Sequence, residues 1–214
     1  GQGGLQRIIA YKSLPHHMAW TSLDANGDGH LDLVGAMNVS GTYEPMQCTS
    51  VMYSCGGYRV LFGDGKGMFS GDQLVMLGIA RPIYDLEAVD LNDDGRKDLV
   101  IPMAGNHPTI DPFGEVLVAH ALPAGGLATP RLLHAGYGSG PGQHLTFGDV
   151  TGDGIVDSIL TPADQQDKPV IRKRLLDNTF AYWADLWSYR IYPGLILAED
   201  FDGDRKTDLV SIQI

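Results

Sequence analysis

Residues 24–34 read DANGDGHLDLV: three aspartates and an asparagine within nine positions, then an apolar run. Near copies follow. DLNDDGRKDLV begins at Asp90, DVTGDGIVDSI at Asp149 and DFDGDRKTDLV at Asp200. A repeated unit fixes the fold class before any single residue does.

Aligned, the copies read D-x-[NDT]-x-D-G-x-x-D, with oxygen-bearing side chains at positions 1, 3, 5 and 9. These are Asp24, Asn26, Asp28 and Asp32; Asp90, Asn92, Asp94 and Asp98; Asp149, Thr151, Asp153 and Asp157; and Asp200, Asp202, Asp204 and Asp208. Hard oxygen donors spaced by two along a tight loop suit calcium, which takes about 6–8 oxygens. The position-7 residues His30, Arg96, Ile155 and Lys206 would add backbone carbonyls. Magnesium demands a stricter octahedron and keeps its waters, so it fits less well. Gly29, Gly95 and Gly154 at position 6 allow the positive φ of such a turn. The fourth copy has Arg205 there, and the third has a neutral threonine, so the first two loops read as the strongest sites. An EF-hand would need glutamate at position 12 between two helices. Gly35, Ile101, Leu160 and Ser211 stand there instead, and the flanks are short and β-branched, as in strands.

The net charge of −11 is a local property, because the 13 aspartates at those positions exceed it. There is no basic stripe for a nucleic-acid partner. Arg172, Lys173 and Arg174 read as a solvated strand face. No run of 18 apolar residues spans a membrane. No signal peptide is visible and the sequence starts at Gly1, which reads as a mature form or a fragment. Cys48 and Cys55 sit in one loop, and we expect a disulfide, hence an oxidising, secreted or cell-surface setting. Asn38-Val39-Ser40 is a glycosylation sequon.

The loops recur after 66, 59 and 51 residues, room for four strands each. The expected fold is all-β: a single propeller domain of four-stranded antiparallel blades over residues 1–214. Residues 15–80, 81–138 and 139–189 form three complete blades. A closing blade is split between residues 1–14, its last strand, and 190–214, its first half. Either the termini seal a four-bladed ring, or the chain is part of a larger propeller. Further blades would then come from another segment or chain, and self-assembly is an open alternative.

The four aspartate loops followed by D-L-V or D-S-I, together with LFGDGKGMF at residues 61–69, resemble the FG-GAP/VCBS repeat family. The resemblance implies a β-propeller with calcium in the hairpin between the first two strands of each blade, three to four structural ions in all. It implies no catalytic residues. Arg205 and the incomplete fourth blade depart from the pattern.

The expected function is a calcium-stabilised, non-catalytic module of a secreted or surface protein, serving adhesion, protein binding or assembly. A lectin and, third, a polysaccharide-active enzyme are the alternatives. No repeated aromatic or histidine supports a lectin, and no nucleophile elbow or metalloprotease motif supports an enzyme. A protein or glycan ligand would meet the face opposite the aspartate loops. Its connections carry Pro15, His16, His17, Tyr43, Tyr53, Arg81, Tyr84, His107, Tyr189, Arg190 and Tyr192. Trp20 reads as core, Trp183 and Trp187 as packing between blades, and His120, His134 and His144 as scattered residues without partners.

Overall fold

The computed structural model describes residues 17–39, 42–43, 46–47, 55–78, 81–103, 114–138, 144–161, 169–176, 179–186, 196–204 and 206–211. Every regular element among them is a strand. The first sheet begins with β1 (His17–Leu23) and β2 (Asp32–Val39). A two-residue hairpin, β3 (Thr42–Tyr43) and β4 (Met46–Gln47), interrupts it. The sheet resumes with β5 (Cys55–Gly63) and β6 (Phe69–Met76). Beyond it come β7 (Glu87–Val89), β8 (Asp98–Met103), β9 (Gly114–Ala119) and β10 (Arg131–Gly138). Next are β11 (His144–Gly148), β12 (Asp157–Thr161), β13 (Val170–Arg174) and β14 (Phe180–Asp185). Last are β15 (Ile196–Glu199) and β16 (Asp208–Ser211).

These form three four-stranded antiparallel sheets in chain order, a two-stranded sheet β15-β16, and the small hairpin. Each large sheet is one expected blade. Residues 1–14, expected to supply the last strand of the closing blade, lie outside the described residues. The hairpin β3–β4 was not expected. It falls in the connection that carries the cysteines, where no alternation of apolar and polar residues marks a strand.

Alternation explains the stacking. On a strand, successive side chains point to opposite faces. In β8, Leu99, Ile101 and Met103 join a core with Val34, Ala36, Tyr58 and Val60 of the first sheet. Val100 of the same strand joins Leu145 and Phe180 of the third. β9 repeats the division: Leu117 and Ala119 face the first sheet, Val116 and Val118 the third. Thus the second sheet is covered on both faces, and all six residues of β8 are buried. The first strands lie against one another in sequence, β1 on β7, β7 on β11 and β11 on β15. That is a propeller arrangement, with the first strand of each blade innermost.

Polar contacts lock the same junctions. The Asn38 amide donates to Ile83 O and accepts from Ile83 N, each at 2.7 Å. Its nitrogen therefore serves the junction between the first two blades, whatever the sequon suggests. Trp20 is 45% exposed, not core as its run suggested. Leu23 takes the inward position of β1, and Trp20, three residues earlier on a stretch of continuous register, lies on the opposite face.

Candidate metal loops

Each aspartate loop joins the first strand of a sheet to the second, and its geometry repeats. Position 1 gathers the backbone. Asp24 accepts from Gly27 N (2.7 Å), Asp28 N (3.1 Å) and Gly29 N (2.8 Å). Asp149 does the same for Gly152, Asp153 and Gly154, and Asp90 holds Asp94 N and Gly95 N. Position 3 accepts from the position-5 amide in Asn26, Asn92 and Asp202. Position 5 accepts from the position-7 amide in Asp28, Asp94, Asp153 and Asp204. Local Asx-type bonds of this kind wind a short loop around its own carboxylates.

Two residues of the loop need positive φ. Position 6 was expected to, and Gly29, Gly95 and Gly154 do so at 84°, 82° and 83°. Position 4 does too: Gly27, Gly152 and Gly203, with Asp93 at 60° in the second loop. Three glycines at one repeat position were the signal, and the reading missed it. Arg205 lies outside the described residues.

Position 9 differs in kind from the other three. Asp32, Asp98 and Asp157 are fully buried. Asp32 accepts from Ala25 N (2.9 Å) and from Gly63 N at the end of β5 (2.8 Å). Asp98 takes Leu91 N and Ala121 N, and Asp157 takes Thr151 N and Arg174 N. This carboxylate ties the loop to the third strand of its own sheet. Burial pushes the Asp32 and Asp157 carboxyls above the usual range. His120, expected to lack a partner, places Nδ1 2.9 Å from Asp98 Oδ2.

The position-5 carboxylates carry counter-charges of their own. Arg96 sits 2.7 Å from Asp94, Lys173 2.7 Å from Asp153 and Lys206 2.9 Å from Asp204. In the first loop the Asn26 amide donates to Asp28 at 2.9 Å instead. These contacts hold the carboxyls below their ordinary range: the Asn26 amide and then the His30 N–H for Asp28, the Arg96 N–H for Asp94, and Lys173 for Asp153.

The stretch 172–174 is not a solvated face. Arg174 is 2% exposed. It crosses from β13 to the second loop, where it donates to Leu91 O and to both oxygens of Asp93 at 3.0 Å. Residues 81 apart in sequence meet there, which no local pattern announces. Lys173, its neighbour, lies 5.1 Å over the Trp183 ring. Trp183 is 54% exposed rather than packed between blades.

The donor set fits calcium. It is all hard oxygen, and a carboxylate oxygen that accepts one N–H keeps a second lone pair. Asp200, Asp202 and Asp208 bring one oxygen each within 4.8 Å of the others, the one such cluster among the described residues. It lies in the fourth loop, which the sequence ranked below the first two. Thr151 Oγ1 is buried in the third loop beside the Asp153 and Asp157 carboxylates, at the place of a ligand oxygen.

The opposite face is mostly outside the described residues: His16, Tyr53, His107, Tyr189, Arg190 and Tyr192 all are. Cys48, Trp187 and Pro15 are too, and no free cysteine occurs among the described residues. Arg81 does not project into solvent, since its side chain is 12% exposed and lies 3.7 Å from Glu115. Tyr84 is half-buried. His144 lies 3.7 Å from Asp85, which raises its pKa. A cleft of about 550 Å³ opens between the first two sheets, walled by Tyr58, Val60, Val75, Leu117 and Leu127, with Glu115 at its edge.

Stacked four-stranded sheets with an aspartate hairpin at the same place in each define a bladed β-propeller. Residues 24–101, which hold the first two aspartate loops, match the family model of the FG-GAP-like repeat. No curated protein matches the chain.

Proposed function

We propose that the chain is a calcium-stabilised, non-catalytic propeller module of a secreted or surface protein, which binds a protein partner or supports assembly. The observation that carries this reading is the recurrence of one oxygen-lined loop at the same junction of four sheets. The ligands are the residues at positions 1, 3, 5 and 9, Asp24, Asn26, Asp28 and Asp32 in the first loop, with carbonyls from position 7. Bound calcium supplies charge neutralisation beyond the single cation that meets the second, third and fourth loops. Each site adds about 2.7 kcal/mol of stability at a hundredfold excess of ion over Kd. A Cys48–Cys55 disulfide, closing the connection that carries β3 and β4, suits the same oxidising setting. The non-catalytic part is supported by the cleft, where Glu115 is the one titratable carboxylate of the lining and is engaged by Arg81.

Thermal unfolding in calcium and in EDTA tests the calcium part. We expect a rise of several degrees with calcium, lost on chelation. Equal melting temperatures in the two conditions would refute it. A purified partner that binds in calcium and not in EDTA would support the binding part.

A further inference from the structure

Lys173 stands apart from the other cations at position 5. Arg96 and Lys206 reach their aspartates from within the same loop, and Lys206 is 81% exposed. Lys173 instead comes from β13, three-quarters buried, with its ammonium between Asp153 Oδ2 and the face of Trp183. Two attractions hold it there, an ion pair and a cation–π contact. The third loop also has the weakest ligand set, with neutral Thr151 at position 3.

We propose that Lys173 is the resident counter-ion of the third loop: it neutralises Asp153, holds that loop folded without calcium, and sets its calcium affinity below that of the first loop. The inference rests on the calcium reading above. The chemistry is competition between two cations for one carboxylate. An ion entering the loop must displace the ammonium or share Asp153 with it. The first loop has no such competitor, since Asp28 is met by the neutral Asn26 amide. The strand makes the role available. Lys173 points to its own blade's loop while Arg174, on the other face of β13, serves the neighbouring blade.

The test is calorimetric titration of calcium into the full chain, wild type against Lys173→Met and Trp183→Leu, with Asp28→Asn as the control for the first loop. Lys173→Met is expected to tighten the weakest calcium step about two- to fivefold, the range of a partly exposed ion pair. Trp183→Leu is expected to tighten it less, because the lysine stays but is held less firmly. Melting in EDTA should fall for Lys173→Met while the rise on adding calcium grows. Asp28→Asn should weaken a different step. If wild type binds calcium and Lys173→Met leaves every step unchanged or weaker, the inference is overturned and the calcium reading stands. If wild type binds no calcium in any step, the calcium reading fails and takes the inference with it.

Discussion

Removing the Arg174 guanidinium is the sharpest test of how the blades are joined. Arg174→Met keeps most of the buried stem and deletes three contacts, to Leu91 O and to the two Asp93 oxygens. Loss of the donor to a buried carbonyl costs about 1–3 kcal/mol. Loss of the Asp93 pair adds only about 0.5 kcal/mol, because that carboxylate is largely exposed and rehydrates. Arg174 Nε is buried without a hydrogen bond, so its removal returns part of this, on the order of 1 kcal/mol. The net cost is about 0.5–2.5 kcal/mol. At about 2–4 °C per kcal/mol for a domain of this size, melting falls by roughly 1–10 °C. Asp93 supplies the second arm. Its φ of 60° costs a non-glycine residue about 1 kcal/mol, which the arginine offsets. Asp93→Gly should therefore be near neutral in wild type and stabilising by about 1 kcal/mol beside Arg174→Met. A double-mutant cycle on thermal unfolding in EDTA measures both. An unchanged melting temperature for Arg174→Met, or equal effects of Asp93→Gly in both backgrounds, would show that the clasp does not join the blades.

Two further outcomes follow from the same geometry. Asp32→Ala should destabilise the chain in EDTA by about 2–4 kcal/mol, since it strands the buried amides of Ala25 and Gly63; Asp28→Ala, on the exposed side of the loop, should cost far less, and equal losses by denaturant titration would contradict the division of roles. Glu87 gives a pH signature, because burial, and then Asp85, raise its pKa to about 8. A carboxyl raised on folding stabilises fully below its unfolded value of 4.5 and loses that contribution as pH climbs through about 8. Each pH unit between removes at most about 1.4 kcal/mol. Melting in saturating calcium should decline from pH 5 to pH 9, and Glu87→Gln should flatten the decline and melt higher at pH 9; parallel curves would exclude the assignment.

The parts of this molecule that were legible in the sequence are those written locally. Asp24 to Asp32 and their three copies announced both the hairpins and the strand pairs beside them. Hydrogen bonds two to five residues apart build those loops, so spacing alone reveals them. The hidden parts are the long-range partners. Arg174 looks like surface charge until β13 is laid beside the second loop. His120 finds Asp98, and Arg81 finds Glu115, within the second sheet, whose register no single segment states. Trp20 obeys alternation once Leu23 is known to point inward, but the segment alone does not say which of its two faces is the core. The double role of the aspartates was also hidden: the motif shows a carboxylate at position 9, but only the fold shows that backbone amides already hold it.

The joints between sheets all lean the same way. Gly27 in the first loop meets Gly125 in the second blade, so closely that a methyl group on Gly125 would lie 2.1 Å from Asn26 O. Leu91 and Asp93 in the second loop are held by the third blade's Arg174. Gly148, at the mouth of the third loop, rests on Ala198 and Thr207 of the next sheet. The first three hairpins are thus buttressed by chain that a ribosome delivers later. A nascent polypeptide would hold each of these three half-supported until the following sheet emerges, and assembly would run from the amino end toward the carboxyl end, each blade finishing the one before it.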